Sequence, residues 1–138
     1  MNGPRVARVV LADDDAALRG LLAGVLRREG YLVEECVDGR SLFMRIEAGA
    51  MRELEQVDVV ITDVRMPRFT GDEIVATWAE TRPDVRLVLM TAFPDDALRA
   101  RARSLHVPLL EKPFGLDVFR RVVRQTVERV AIPMVGAR

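Results

Sequence analysis

The sequence predicts one α/β domain in which a parallel β-sheet is covered by helices on both faces. Short apolar runs rich in Val, Ile and Leu recur along the chain, as is typical of parallel strands buried on both faces. Segments with helical spacing of apolar residues separate these runs, and right-handed crossovers then place helices on both sides of the sheet. The length of 138 residues and the hydrophobic content of 49% suit a single domain, 1–138, with its core over about 6–131.

The first half of the chain predicts three strands and two helices. The strands are expected at residues 6–12, 31–37 and 57–62. Between the first two strands, leucine and valine recur at helical spacing over 18–26, and Gly30 is the expected stop of that helix. A shorter helix is predicted over 40–48, where apolar residues share one side, and the polar segment 49–56 is expected to form the end of that helix and a loop.

The second half predicts two more strands and three helices. The strands are expected at residues 86–90 and 107–111. Thr70 and Glu73 have the spacing of a capping box, so a third helix is predicted over about 71–81. A fourth helix begins after Pro94, and a fifth carries a regular apolar stripe up to a break at Pro133.

Charge and cysteine content argue against several function classes. The 21 acidic and 21 basic side chains balance, so no net field marks the chain as a nucleic-acid or membrane-surface binder. No apolar stretch is long enough to span a bilayer or to form the core of a signal peptide. Cys36, the single cysteine, cannot form an internal disulfide and fits a buried position in a reducing compartment. We expect a cytoplasmic protein with no direct nucleic-acid or membrane partner.

Chemically active side chains stand at the ends of four predicted strands. They are Asp13, Asp14, Asp63, Thr91 and Lys112, the last being the only lysine among 21 basic residues. The carboxyl ends of parallel strands meet at one crevice, so we expect these side chains to share a pocket. Clustered carboxylates repel one another and favour a divalent cation, and hard oxygen ligands favour Mg²⁺. A carboxylate beside such an ion, a hydroxyl and an ammonium is a set suited to phosphoryl transfer, with an aspartyl phosphate as the product.

Four segments of the chain carry a resemblance to a known family. They contain the pocket residues in the order that the family has them, and together they span nearly the whole chain. The segments are VVLADDD at 9–15, DVVITDVRMP at 58–67, MTA at 90–92 and EKPF at 111–114. On these motifs the chain resembles the receiver domains of bacterial response regulators.

This resemblance implies both a fold and an activity. The implied fold is CheY-like: a three-layer, flavodoxin-like doubly wound structure with five parallel strands in the order 2-1-3-4-5 and five helices. The implied activity is phosphorylation of Asp63 by a sensor histidine kinase or a phosphotransfer protein. Thr91 and Lys112 would contact the phosphoryl group, and the Lys112–Pro113 peptide would be cis.

The resemblance also implies a Mg²⁺ site. Asp14, Asp63 and the main-chain carbonyl of Arg65 would hold the ion, with Asp13 acting partly through water. A simpler explanation for the run of aspartates at 13–15 is an N-cap cluster that satisfies helix donors. The other polar residues at the predicted strand ends make that explanation less favoured.

Two features depart from the family pattern. Members often carry Tyr or Phe three positions before the lysine, where the ring moves inward as the threonine engages phosphate; this chain has Leu109 there. The segment 104–108 also lacks the Gly-Ala step that is common before the last strand. Both differences concern the output mechanism and leave the phosphorylation chemistry untouched.

Other polar or aromatic residues have structural explanations. His106, the single histidine, has no ligand-forming neighbour at metal-site spacing and is expected in a loop or at the surface. Arg99, Arg101 and Arg103 do not all share one helical face, so the fourth helix is expected to be solvated rather than a nucleic-acid patch. Trp78 is expected to pack its helix against the sheet.

Three functional hypotheses follow. The first is a phosphorylation-controlled switch with no external substrate, whose fourth helix, fifth strand and fifth helix signal to a downstream protein or form a homodimer. Such a switch would be a stand-alone protein or part of a longer regulator. The second is a phosphorylation-independent interaction module, to which Leu109 lends weight. The third is a phosphatase with an aspartyl-phosphate intermediate; those enzymes usually place a second aspartate where this chain has Arg65.

Overall fold

The computed structural model describes residues 6–51, 56–66, 69–70 and 85–135. Its elements in chain order are β1 (Arg8–Ala12), α1 (Ala16–Arg28), β2 (Leu32–Cys36), α2 (Gly39–Met51), β3 (Val59–Asp63), β4 (Arg65–Met66), β5 (Phe69–Thr70), β6 (Arg86–Thr91), α3 (Asp96–Ser104), β7 (Leu109–Glu111) and α4 (Leu116–Val135). Within these ranges, no helix combines the length and the apolar character that a bilayer crossing requires.

Five strands form one parallel sheet in the order β2-β1-β3-β6-β7. Its central strands are apolar because both faces are covered: all five residues of β3 are buried, as are the residues of β6 that follow Arg86. The short strands β4 and β5 pair with each other in a separate antiparallel ribbon. With that ribbon left aside, the sheet has its strands in the predicted order 2-1-3-4-5.

Two apolar cores lie on opposite faces of the sheet, because successive residues of each central strand point to alternate sides. On one face α1 and α4 contribute Leu26 and Phe119, both fully buried. On the other face α2 and α3 contribute Leu42 and Leu98. The described helices therefore form the two outer layers of a three-layer α/β structure.

The ends of α1 follow the local sequence signals. The carboxylate of Asp15 accepts a hydrogen bond from the N–H of Leu18 at 3.1 Å, which caps the helix N-terminus. At the other end Gly30 adopts a positive φ of 96°, and the N–H groups of Gly30 and Tyr31 donate to carbonyls of the last turn. This is a Schellman termination with glycine at the left-handed position, as the sequence predicted for Gly30.

The end of α3 has the same hydrogen bonds without a glycine. The N–H of His106 donates to the carbonyl of Arg103 at 3.1 Å, and the N–H of Val107 donates to that of Ala102 at 2.9 Å. His106 takes the left-handed position with φ of 58°. It therefore occupies the conformation for which glycine is preferred, at the junction where the Gly-Ala step is missing.

Several element ends differ from the prediction. β7 begins at Leu109 rather than at residue 107, since Pro108 has no N–H to donate to the sheet. By contrast, α2 ends at Met51, within the segment 49–56 in which the end of that helix and a loop are expected. The predicted break at Pro133 is wrong: α4 continues to Val135, and a proline in the last turn of a helix removes only one main-chain donor. The other strand ends lie within two residues of the prediction.

One small element was not predicted, and one predicted helix cannot be compared with the structure. The ribbon of β4 and β5 was not predicted, because strands of two residues leave no periodicity in the sequence. The third helix, predicted over 71–81 and including Trp78, lies outside the described residues. Four helices are therefore described, and α3 and α4 are the helices that the sequence predicts as the fourth and the fifth.

The edge strand β2 carries two adjacent glutamates that point to opposite faces of the sheet. Each of them pairs with two arginines. The pairs are Glu34 with Arg8 and Arg45, at 3.7 and 2.6 Å, and Glu35 with Arg19 and Arg27, at 3.1 and 3.2 Å. These contacts tie β2 to its neighbouring strand and to the helices on both sides.

Candidate functional site

The side chains singled out in the sequence meet at the carboxyl edge of the sheet. Asp13 follows β1, Asp63 ends β3, Thr91 ends β6 and Lys112 follows β7. The parallel ladders align these strand ends, and the backbone N–H of Lys112 donates to the carbonyl of Thr91 at 2.7 Å. Asp13 and Thr91 are fully buried, and Asp63 is 8% exposed. The fifth residue, Asp14, is exposed next to Asp13.

Lys112 joins the two buried carboxylates. Its ammonium lies 2.8 Å from Oδ2 of Asp13 and 2.6 Å from Oδ2 of Asp63. Burial lowers the pKa of Lys112, but its hydrogen bonds and charge attraction to the two aspartates raise it further, and the net shift of the pKa is upward. Lys112 is therefore a fixed positive charge at the centre of the pocket. The peptide that links it to Pro113 is cis.

Backbone amides hold the other oxygens of the same carboxylates. Oδ1 of Asp13 accepts a hydrogen bond from the N–H of Asp15 at 2.9 Å. Oδ1 of Asp63 accepts one from the N–H of Arg65, also at 2.9 Å. Each carboxylate is thus oriented by a backbone donor on one oxygen and by the ammonium on the other.

The acidic cluster has the composition of a cation site. One carboxylate oxygen from each of Asp13, Asp14 and Asp63 lies within 4.8 Å of the others. Among the described residues, Lys112 supplies the one ammonium that pairs with this cluster of three carboxylates, which leaves two formal negative charges uncompensated there. A divalent cation with a preference for oxygen ligands matches both the charge and the donor chemistry.

Thr91 is held by the loop that follows it. Its Oγ1 accepts a hydrogen bond from the N–H of Phe93 at 3.0 Å. The threonine hydroxyl therefore links the end of β6 to the loop that leads into α3. A change in the hydroxyl's partner would release that backbone N–H.

Phe93 was not singled out in the sequence, although it stands at the mouth of the pocket. Phe93 is 62% exposed, and the guanidinium carbon of Arg65 lies 4.8 Å from the centroid of its ring. This cation–π contact joins the loop after β3 to the loop after β6. The sequence does show an aromatic residue two positions after Thr91. It does not show the contact with Arg65, because that residue lies in a distant segment of the chain.

An apolar cavity of about 460 Å³ is lined in part by Lys112. Most of its surface comes from hydrophobic residues of α1 and of the loop between β7 and α4. The lining residues are Leu18, Leu21, Leu22, Ala92, Phe114 and Leu116, with Asp15, Lys112 and Pro113. Leu21 is 52% exposed, so part of this apolar surface faces solvent.

The remaining residues discussed from the sequence lie outside the pocket. Leu109 is half-buried and packs against the core covered by α2 and α3. Burial raises the pKa of the Cys36 thiol, which fits the expected role of a small buried hydrophobe. His106 is exposed, and Arg99 forms two hydrogen bonds to Glu111 on the surface, at 3.0 and 3.2 Å.

Comparison with known sequences points to one family. The model of the response regulator receiver domain matches residues 9–124. The "Transcriptional regulatory protein PdtaR" of Mycobacterium tuberculosis is 37% identical over 124 residues, which cover 88% of this chain and 57% of that protein. The "Response regulator receiver protein CpdR" of Brucella abortus is 30% identical over 110 residues, which cover 79% of this chain and 87% of that protein. The chain thus spans little more than half the length of PdtaR.

Solved structures have the same fold. A CheY-like response regulator receiver domain protein from Methanospirillum hungatei superposes with a TM-score of 0.81 at 18% identity, covering 91% of this chain and 97% of that one. The response regulator TrrA of Thermotoga maritima, in complex with Mg(2+)-BeF, superposes with a TM-score of 0.74 at 24% identity, covering 88% and 99%. At these identities the likeness concerns the fold.

Proposed function

Because the chain belongs to the response regulator receiver domain family, we propose that it is a switch in which Asp63 accepts a phosphoryl group. The single observation that carries this proposal is the ammonium of Lys112 at 2.6 Å from Oδ2 of Asp63. The contact puts a buried cation where negative charge would build up during transfer to that carboxylate. Receiver domains are signalling switches, and we propose that this one acts on no external substrate.

The transfer would move a phosphoryl group from a phosphohistidine of a sensor kinase or phosphotransfer protein. A carboxylate oxygen of Asp63 forms a bond to phosphorus, the phosphorus–nitrogen bond breaks, and the imidazole leaves with the bonding electron pair. Lys112 balances charge on the phosphoryl oxygens. The N–H of Arg65 holds Oδ1 of Asp63 and limits rotation of the carboxylate, which keeps the nucleophile in line.

We propose that Asp14 and Asp63 hold a Mg²⁺ ion together with the main-chain carbonyl of Arg65, and that Asp13 contributes partly through water. The support is the approach of the three aspartate carboxylates to within 4.8 Å and their uncompensated charge. When bound, the ion would neutralise charge on the phosphoryl oxygens.

The phosphoryl group would change the partner of the Thr91 hydroxyl. This hydroxyl now accepts from the N–H of Phe93, and a bond to the phosphoryl oxygen would move the loop before α3. Because Leu109 has no ring to move inward, we propose that this loop carries the signal to the face of α3, β7 and α4. Leu105 and Val118, each 40% exposed, supply apolar surface there for a downstream protein or a second copy of the chain.

The apolar cavity beside Lys112 is our candidate surface for the phosphodonor protein. A phosphohistidine must approach Asp63 from the mouth of the pocket, and the cavity gives a partner helix apolar surface next to Lys112. We place this exchange in the cytoplasm, with protein rather than nucleic-acid partners.

A phosphorylation-independent interaction module is the second candidate. It is favoured by the half-buried Leu109, which removes the usual aromatic part of the switch. The phosphatase hypothesis has less support, because the position of its second aspartate is Arg65, whose guanidinium lies over the ring of Phe93.

Intact-mass spectrometry after incubation with acetyl phosphate and Mg²⁺ tests the proposal. We expect one phosphoryl adduct on the wild type, none on Asp63→Asn, and none when Mg²⁺ is omitted. Asp15→Asn is the matched control: it makes the same change beside the pocket and preserves an N-cap oxygen, so it should still be phosphorylated. A wild type that binds Mg²⁺ and forms no adduct would refute the phosphoacceptor role and favour the interaction module.

A further inference from the structure

Arg19 contacts the acidic turn from the side of α1. Its Nη1 donates to the main-chain carbonyl of Asp13 at 2.8 Å, and its Nε donates to Oε1 of Glu35 at 3.1 Å. The arginine side chain is 15% exposed. One guanidinium thus joins the turn after β1 to the neighbouring strand β2.

The carbonyl that Arg19 holds belongs to the peptide between Asp13 and Asp14. A peptide unit is planar, so fixing this carbonyl also fixes the N–H and the Cα of Asp14. The N–H of Asp13 is held separately by the carbonyl of Cys36 at 3.2 Å, and its carboxylate is held by Asp15 and Lys112. The carboxylate of Asp14 has no such anchor of its own among the described contacts, so its direction depends on the peptide that Arg19 binds.

We propose that Arg19 is a positioning residue for the cation site: it orients the peptide between Asp13 and Asp14 so that the exposed carboxylate of Asp14 faces Asp63. The proposal rests on the Mg²⁺-dependent function proposed above and adds a residue that contacts neither the ion nor the phosphoryl group. Groups that orient metal ligands typically change metal affinity by tenfold or more when they are removed.

Arg27 provides a matched comparison. It also pairs with Glu35, at 3.2 Å, and it also donates to a main-chain carbonyl, that of Val33, at 3.1 Å. Its side chain is 51% exposed, and it makes no described contact with the turn at Asp13. Arg27→Met therefore removes a similar ion pair from α1 and leaves the peptide before Asp14 held.

The test is Mg²⁺ binding by isothermal titration calorimetry on the full chain. We expect Arg19→Met to bind Mg²⁺ about tenfold more weakly than the wild type, and Arg27→Met to bind within about twofold. Arg19→Lys restores a cationic donor to the carbonyl and should recover part of the loss. Amide chemical shifts of residues 13–15 in the metal-free protein should move in Arg19→Met and stay in place in Arg27→Met.

The outcomes separate this inference from the function on which it rests. A wild type without Mg²⁺ binding overturns both. A wild type that binds, with Arg19→Met and Arg27→Met equal in affinity, overturns the positioning role alone. If Arg19→Met does not fold, Glu35→Ala takes its place, because it removes the carboxylate that holds the Arg19 guanidinium and keeps the guanidinium itself. The proposal then requires that Glu35→Ala binds Mg²⁺ more weakly than the wild type and that Arg27→Met does not.

Discussion

Replacing Lys112 with methionine removes the central ammonium of the pocket and keeps most of its apolar stem. In the metal-free protein this leaves the side chains of Asp13, 0% exposed, and Asp63, 11% exposed, without their shared cation. Loss of one partner from a buried ion pair destabilises a protein by about 3–5 kcal/mol. The 15% exposure of the Lys112 side chain places the expected loss near the lower end, at about 3 kcal/mol.

Mg²⁺ should reverse much of this loss, because it returns positive charge to the same carboxylates. A ligand at 100 times its Kd stabilises the folded state by about 2.7 kcal/mol. The ammonium and the ion compete for the oxygens of Asp13 and Asp63, so we expect the Lys112→Met variant to bind Mg²⁺ more tightly than the wild type. Its free energy of unfolding should therefore rise more steeply with Mg²⁺ concentration.

Urea unfolding with and without Mg²⁺ measures both effects. Arg99→Met is the control, since it removes a cation that pairs with Glu111 at the surface, far more accessible to water than the pocket. Equal losses of stability in the two variants without metal would contradict the reasoning. So would a smaller stabilisation of Lys112→Met than of the wild type by Mg²⁺.

Three further predictions concern pH, a helix end and the switch. The stabilisation from Lys112 is present in full below its ordinary pKa of 10.5 and is lost as pH rises through the higher pKa that it has in the folded state. The free energy of unfolding, measured against pH in the alkaline range, should therefore show a decrease that Lys112→Met lacks. Replacing His106 by glycine should raise the free energy of unfolding, measured in urea, by about 0.5–1 kcal/mol. The left-handed conformation costs a residue with a side chain about 1–2 kcal/mol, and the larger conformational entropy that glycine loses on folding offsets part of this gain. Gly30→Ala should have the opposite effect. Thr91→Val should still be phosphorylated on Asp63, but phosphorylation should not change the amide chemical shifts of the loop before α3. A change as large as in the wild type would show that the Thr91 hydroxyl does not transmit phosphorylation to this loop.

The sequence predicted the layered fold because burial on both faces leaves continuous apolar runs, which is why β3 and β6 were placed within two residues. It also predicted the meeting of Asp13, Asp63 and Lys112, since strand ends in a parallel sheet share an edge. These two inferences depend only on local composition and on general topology.

Contacts between distant side chains were not predictable in the same way. The cation–π contact of Arg65 with Phe93 and the bond from Arg19 to the Asp13 carbonyl depend on the register of loops and helices against the sheet. The left-handed conformation of His106 was equally hidden, because the need for it arises from the path that leads the chain from α3 back into the sheet.

The paired glutamates of β2 bear on how the molecule avoids unwanted self-assembly. An edge strand exposes unpaired main-chain groups and can template a strand from another copy, leading to fibres or aggregates. At one edge, the charged side chains of Glu34, Glu35 and their arginine partners cover both faces of β2. The strand at the other edge, β7, has only three residues. Addition of a strand from another copy is therefore disfavoured at both edges of the five-stranded sheet.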